Sequence, residues 1–106
     1  MKIIKLATDF SEYPAGRYTT DGDDSGERFR EDFLVPALKN GEVIVDLDGA
    51  MGYGSSFLEE AFGGVLRTHK DTFSIKSLRD KLHLISIEDP SLITEIWEYI
   101  EDQKNN

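Results

Sequence analysis

The segment that most constrains the fold, residues 42–66, joins two different hydrophobic patterns through a glycine-rich loop. The run VIVDL at 43–47 is apolar on both sides, as expected for a central strand that is covered on each face. Three glycines and two serines follow Asp48 in the loop. Apolar residues then return with helical spacing, at Phe57, Leu58, Ala61, Phe62, Val65 and Leu66. A buried strand that leads into an amphipathic helix predicts an α/β fold.

Strand and helix patterns also alternate in the rest of the chain. The predicted strands are residues 2–8, a hairpin-like strand at 16–20, residues 42–48, and a buried strand at 82–87 that includes Ile85 and Ile87. The predicted helices begin at Asp24 or Ser25, at Ser56, near Ser74 and at Asp89-Pro90. We therefore expect a single domain over residues 1–106, with an about four-stranded mixed sheet, helices packed on it and a polar tail at 101–106.

Local signals refine two of the helices. Asn40-Gly41 is a strong stop for the first helix, and Pro36 should kink or shorten it because proline lacks a backbone donor. In the second helix, Ser56 and Glu59 have the spacing of a capping box. Gly63-Gly64 costs that helix about 1 kcal/mol per residue, which predicts a close approach to a neighbouring backbone.

Composition narrows the classes of function. The net charge of −9 repels a phosphate backbone, so nucleic acid is not an expected partner. The absence of cysteine excludes disulfides, thiol catalysis and thiolate metal sites. The N-terminal apolar run is too short for a signal peptide or a membrane span, which predicts a cytoplasmic protein without a membrane partner.

Two enzyme or ligand hypotheses arise from the loop itself. The glycines of GAMGYGSS match the spacing of a phosphate-binding loop, but Ser55 replaces the lysine that this motif requires. VIVDLDG resembles the strand and aspartates of haloacid-dehalogenase-like phosphatases, but fewer than 60 residues follow Asp48. A nucleotide or anion sensor, and a metal-dependent phosphotransferase that uses Asp46 and Asp48, stay as alternatives. The two histidines, His69 and His83, have no metal-pair spacing.

A third hypothesis concerns the two serines at the start of the helix. If Ser56 is the N-cap, Ser55 lies just before the helix and is exposed. A phosphate there would face unpaired backbone N–H groups and add about −1.5 to −2 charges. The alternative is that both serines are only capping residues, which is common at helix starts.

The strand, the DLDG sequence and the Ser-Ser pair together resemble the STAS domain of anti-sigma-factor antagonists and sulfate transporters. In that family the loop commonly reads Asp-Ser-Ser-Gly, and its first serine is phosphorylated by a partner anti-sigma kinase. The resemblance places the acceptor at Ser55. Gly54 stands where the family has its aspartate, and Phe57 where it has the glycine after the serines.

Residues 14–89 look still more like the small STAS-like domains of unknown function found in bacteria, on the residues GR, DG, SGE, Arg30, LVP and GYGSSFLEEAFGG. The resemblance implies a non-enzymatic regulatory domain without a cofactor, which switches partners and whose partner is a histidine-kinase-fold ATPase. Ser55 is the phosphoacceptor candidate, with Ser56 as second choice. The predicted loop and interface residues are Asp48, Gly49, Gly52, Tyr53, Gly54, Phe57 and Glu60. The predicted anion contacts are Arg17, Arg28 and Arg30.

Overall fold

The computed structural model describes residues 1–103, so the last three residues of the predicted polar tail, 104–106, lie outside the described residues. Its three strands are β1 (Lys2–Lys5), β2 (Val43–Asp46) and β3 (Leu82–Ile85). They form one sheet in the order β1-β2-β3, and both pairs are parallel. Ile3, Ile44 and His83 share one row across the sheet. The α/β class is confirmed, but the sheet is parallel and three-stranded rather than mixed and four-stranded.

The predicted strand at 16–20 is wrong. Residues 11–25 form an irregular segment that contains a single 3₁₀ turn, Thr19–Asp21. Two carbonyls of this segment accept hydrogen bonds from the first amides of the following helix, from Gly26 to Gly16 and from Glu27 to Arg17, both at 3.0 Å. A helix start leaves its first four N–H groups without intrahelical partners, and here the preceding segment satisfies two of them. The glycine and threonine run therefore covers a helix end instead of joining the sheet.

Two long helices each contain a wide turn. Helix α1 consists of the consecutive segments Gly26–Phe29, Arg30–Leu34 and Val35–Lys39, and helix α2 of Ser55–Leu58, Glu59–Gly63 and Gly64–Thr68. The middle segment is π-helical in both: Val35 N–H bonds to the Arg30 carbonyl, and Gly64 N–H to the Glu59 carbonyl. In α1 the wide turn lies directly before Pro36, which has no N–H to continue the ordinary ladder.

Two shorter helices complete the fold, α3 (Ile75–Lys81) and α4 (Ser91–Glu101), and one π-helical turn, Leu6–Phe10, follows β1. Helix α4 begins after Pro90, one residue later than predicted, while Asp89 accepts a hydrogen bond from the Ser91 N–H at 3.2 Å. Glu101, predicted to lie in the polar tail, is still helical.

The core lies on one face of the sheet. Ile4, Val43, Val45 and Leu82 pack there against the helices, together with Phe29, Leu34, Leu38, Phe57, Leu58, Phe62, Ile96 and Ile100. The prediction that β2 is covered on both faces is wrong: the alternate positions point away from these helices, and Ile44 is only partly buried. Ile85 and Ile87, predicted to be buried, are 38% and 82% exposed.

Close approaches explain the glycines in the helices. A Cβ on Gly26 would lie 2.5 Å from the Phe57 carbonyl oxygen, so α1 crosses α2 at a distance that only glycine permits. A Cβ on Gly63 would lie 3.1 Å from the Tyr99 carbonyl oxygen of α4. The predicted backbone approach at Gly63-Gly64 is thus confirmed for Gly63. Gly64 instead makes room for the Arg30 guanidinium.

Candidate functional site

The glycine-rich loop lies at the carboxyl edge of the sheet, where it is joined to the loop that follows β3. Both carboxylate oxygens of Asp48 lie 3.0 Å from the Ile87 nitrogen, and Oδ1 is also 3.0 Å from the Glu88 nitrogen. In return, the Gly49 N–H donates to the Glu88 carboxylate. Gly49 has a φ of +95°, which glycine adopts at little cost. These hydrogen bonds join the glycine-rich loop to the loop after β3, with a carboxylate from each loop accepting backbone N–H groups of the other.

The other hydrogen bonds of the loop are also made to groups of the same chain. Asp46 accepts a hydrogen bond from the Asp48 N–H at 3.0 Å, and the Met51 N–H donates to the Glu12 carbonyl at 2.8 Å. The Tyr53 hydroxyl donates to the Leu47 carbonyl at 2.6 Å. Burial, and secondarily the nearby carboxylates, raises the pKa of Tyr53, so it remains a donor. The loop amides at Asp48, Gly49 and Met51 therefore already have acceptors.

This bonding argues against both alternatives that the loop suggested. The concavity beside the loop measures about 170 Å³, and its lining includes three acidic residues, Asp48, Glu88 and Asp89. Small-molecule pockets are commonly about 300–1,000 Å³, and a cluster of carboxylates repels a phosphate. Asp48 orients a neighbouring loop through backbone N–H groups, so its oxygens are engaged in structure. This geometry favours neither a nucleotide sensor nor a phosphotransferase.

Helix α2 begins at the end of this loop, and its N-cap is Gly54 rather than Ser56. The Leu58 N–H bonds to the Gly54 carbonyl at 3.2 Å, which makes Ser55 the first helical residue and Ser56 the second. Both serines are exposed. Within residues 1–103, neither hydroxyl makes a hydrogen bond. The predicted capping role of Ser56 is thus wrong.

One turn further along α2, two glutamates are surrounded by arginines. Glu60 and Arg30 are each only 3% exposed, and an Arg30 nitrogen lies 2.5 Å from Glu60 Oε2 and 2.8 Å from the Glu60 carbonyl oxygen. Arg67 contacts Glu59 at 2.7 Å and Glu60 at 3.0 Å. Arg17 pairs with both glutamates and so ties the irregular segment to α2. We call these five residues the Arg–Glu network.

The protonation of the network follows from these contacts. Burial raises the pKa of Glu59, but hydrogen bonds from Arg67 and Arg17 outweigh it, and the net pKa lies below the ordinary value. The hydrogen bond to Glu59 raises the pKa of Arg17, and the same is true of Arg67. All three groups thus favour their charged forms.

The predicted anion contacts have carboxylate or carbonyl partners within the chain. Arg17 and Arg30 belong to the Arg–Glu network, and Arg28 donates to the Asp23 carbonyl at 2.6 Å and lies 3.6 Å from Asp32. Phe57 is in the core and Glu60 faces Arg30, so neither is exposed to a partner. Glu88, Glu59 and Arg67 were missed by the sequence reasoning. For Glu88 a signal existed, since it follows β3 just as Asp48 follows β2.

The exposed surface in this region comprises the predicted Gly52 and Gly54, the two serines, and two residues that the sequence analysis did not predict, Met51 and Tyr13. Met51 is 71% exposed, and it is hydrogen-bonded to the segment that carries Tyr13, which is 64% exposed. Gly52, Gly54 and the two serines are exposed beside them. This surface combines two large apolar side chains with two unbonded hydroxyls.

The histidines are not part of this surface. His69 contacts Glu31 at 2.8 Å, and His83 contacts Glu42 at 2.9 Å. Within residues 1–103, no three histidine or acidic side chains are grouped so that they could hold a metal ion. In the same range, none of the helices has the length and apolarity needed to cross a bilayer.

Comparison with known proteins agrees with this architecture. No curated protein and no solved structure matches the chain significantly. A family model matches residues 25–92, from the N-cap of α1 to the first turn of α4, and so includes β2, the glycine-rich loop and β3. The match spans well over half of the sequence. On this evidence the chain belongs to the family described as STAS-like domain of unknown function (DUF4325).

Proposed function

We propose that this protein is a non-enzymatic regulatory domain that exchanges protein partners, and that phosphorylation of Ser55 controls the exchange. The observation that carries the proposal is the state of the Ser55 hydroxyl, which is exposed, unbonded within the described residues and located in the first turn of α2. A kinase can reach such a group without disturbing the fold. By contrast, the carboxylates and arginines that we singled out in this region are engaged in structure. The Ser56 hydroxyl is as exposed and unbonded within the described residues as that of Ser55, and the resemblance to the STAS loop favours Ser55.

The contact surface comprises the loop tip at 51–54, the first turn of α2 and the exposed side chains of Met51 and Tyr13. Exposed aromatic and methionine side chains are enriched at protein interfaces. A phosphoserine at position 55 brings about −1.5 to −2 charges to this surface. Because its desolvation in an apolar interface is costly, the modification releases a partner that binds the unmodified surface. The kinase partner in this proposal is a histidine-kinase-fold ATPase.

Phosphoryl transfer to this protein tests the switch. The protein is incubated with ATP and, one at a time, each histidine-kinase-fold ATPase encoded by its source genome, and intact mass is recorded. We expect one added phosphate on the wild type and on Ser56→Ala, and none on Ser55→Ala. Modification that persists in Ser55→Ala contradicts the assignment of the acceptor.

Binding tests the surface separately. The ATPase that phosphorylates the protein should bind Met51→Asp and Ser55→Asp at least about tenfold more weakly than the wild type, because each places a charge in an apolar contact. Arg79→Asp is the control, since Arg79 lies on α3 and pairs with Glu101 of α4. Equal weakening by this control variant would indicate a general effect of charge instead of a contact at the loop.

A further inference from the structure

The face of the sheet that points away from the helices carries a diagonal stripe of apolar side chains. Side chains alternate between the two faces of a strand, and the parallel register aligns them in rows. Ile3 and Ile44 share one row of the register. Ile85 lies in the next row on the same face, two residues further along the strands, where it pairs with Asp46. Met1, two positions before Ile3, and Ile87, two positions after Ile85, lie just outside the strands and are also exposed. In order, its members are Met1, Ile3, Ile44, Ile85 and Ile87.

The stripe is accessible. Met1 is 74%, Ile3 55% and Ile87 82% exposed. They are among the most exposed large apolar side chains within residues 1–103. Parallel sheets are found almost only with both faces covered, because the helices that connect their strands pack on the faces. Here the helices cover one face and leave the other without a cover among the described residues. An uncovered apolar face rimmed by polar groups is a candidate interaction site.

Charged groups flank the stripe on both sides. Lys5 and Asp46 share the row of Ile85 and lie on one side of the stripe. On the other side, His83 lies in the row of Ile44, and its ring nitrogen is 2.9 Å from the Glu42 carboxylate. Each flank thus holds a carboxylate together with Lys5 or His83, and the negative balance is that of the whole chain, whose net charge is −9. A partner with basic residues beside its own apolar surface complements this arrangement.

We propose that this face binds one amphipathic α-helix of another protein, with apolar side chains on the stripe and lysine or arginine toward Asp46 and Glu42. The outer strands of a three-stranded sheet lie about 10 Å apart, which matches the 10–12 Å diameter of roughly one helix. From Met1 to Ile87 the stripe extends about 22 Å, since it crosses three strands and about six residues of rise. A helix of about 15 residues has this length.

A second copy of the chain fits the face less well. Three strands of four residues present a flat area of about 200 Å², whereas a stable interface buries about 800 Å² on each partner. Two copies would also bring together two chains of charge −9. A basic helix avoids the charge repulsion, because it carries the opposite charge, and its length and width match the diagonal of this small face.

Selection from a random peptide library tests the proposal without a known partner. Peptides of about 16 residues displayed on phage are selected on the immobilised wild-type protein, and binding of synthetic copies is measured by fluorescence anisotropy. We expect selected peptides with apolar residues at helical spacing, an excess of lysine and arginine, and helical circular dichroism when bound. Ile3→Lys and Ile85→Lys should each weaken their binding by about tenfold or more. Both positions are exposed, so these variants keep the fold.

Met51→Lys and Tyr13→Lys are the matched controls, because they add the same charge at exposed apolar residues of the loop surface. Binding within about twofold of wild type in these variants assigns the peptides to the sheet face. The proposal is overturned if no peptide is selected, if the selected peptides lack helical spacing, or if Met51→Lys weakens binding as much as Ile85→Lys. A wild-type dimer in sedimentation experiments that Ile85→Lys dissociates would also overturn it, in favour of a second copy.

Discussion

Helix α2 contains two polar regions that differ in burial and in bonding. In its middle, Glu59 and Glu60 form ion pairs with three arginines, and Glu60 is almost completely buried. In its first turn, Ser55 and Ser56 are exposed and bind nothing within the described residues. The difference separates two roles. The charges of the middle are committed to the fold, whereas the hydroxyls of the first turn can change their chemical state without a structural cost.

The largest expected effect is that of Glu60→Ala. The substitution leaves the buried Arg30 guanidinium without its main partner, and breaking a buried ion pair costs about 3–5 kcal/mol of unfolding free energy. Urea denaturation followed by circular dichroism measures the loss. Arg79→Ala, at an exposed ion pair between α3 and α4, should cost less than about 1 kcal/mol. Equal losses in the two variants would contradict the structural role of the network.

A second expected effect comes from the helix crossing that places α1 against the middle of α2. In Gly26→Ala the new methyl group would meet the Phe57 carbonyl oxygen at 2.5 Å, so the backbones must separate. Overpacking of this kind costs about 1–3 kcal/mol. Asp32→Ala, an exposed position in the same helix, is the control and should change the free energy of unfolding by less than about 0.5 kcal/mol. Similar values for the two variants would mean that the helices are not in close contact at Gly26.

A smaller effect should appear on acidification. The pKa of Glu59 is lower in the folded protein than in the unfolded chain, so its contribution to stability is complete above the unfolded value of about 4.3. That contribution disappears as the pH falls through the folded value. Unfolding free energies measured from pH 7 to pH 3 should therefore decrease less steeply for Glu59→Gln than for the wild type. Ser56→Ala should keep the wild-type slope, and a slope unchanged in Glu59→Gln would contradict the assignment.

The sequence predicted the elements well where the local pattern alone decides the structure. The periodic apolar residues located α1, α2 and α4, and Asn40-Gly41 marked the end of α1, where Gly41 has a φ of +143°. The family resemblance was also confirmed. For the helices and the end of α1, the information lies within a few residues of the feature that it predicts.

The failures concern contacts between distant segments. Residues 16–20 have strand-like composition, but their carbonyls cap α1, which depends on where the chain returns in space. The apolar alternate positions of β2 indicated two covered faces, although the described part of the chain covers only one. Arg17 and Arg30 were predicted to contact an anion, but their partners are Glu59 and Glu60, which lie 30 to 43 residues away in the sequence. The positions of charged residues in a sequence do not reveal such distant pairs.

The smallest expected effect is that of Ser56→Ala. It tests whether the Ser56 side chain caps α2. Because Gly54 is the N-cap, loss of the Ser56 hydroxyl should change the free energy of unfolding by less than about 0.5 kcal/mol. Ser25→Ala is the matched comparison, since the buried Ser25 hydroxyl accepts the Arg28 N–H at 3.2 Å and caps α1. Its loss should cost about 1–2 kcal/mol. Thermal unfolding of both variants measures the difference. A loss at Ser56 as large as at Ser25 would show that the first-turn serine caps α2, and the hydroxyls of that turn would then no longer be free for a switch.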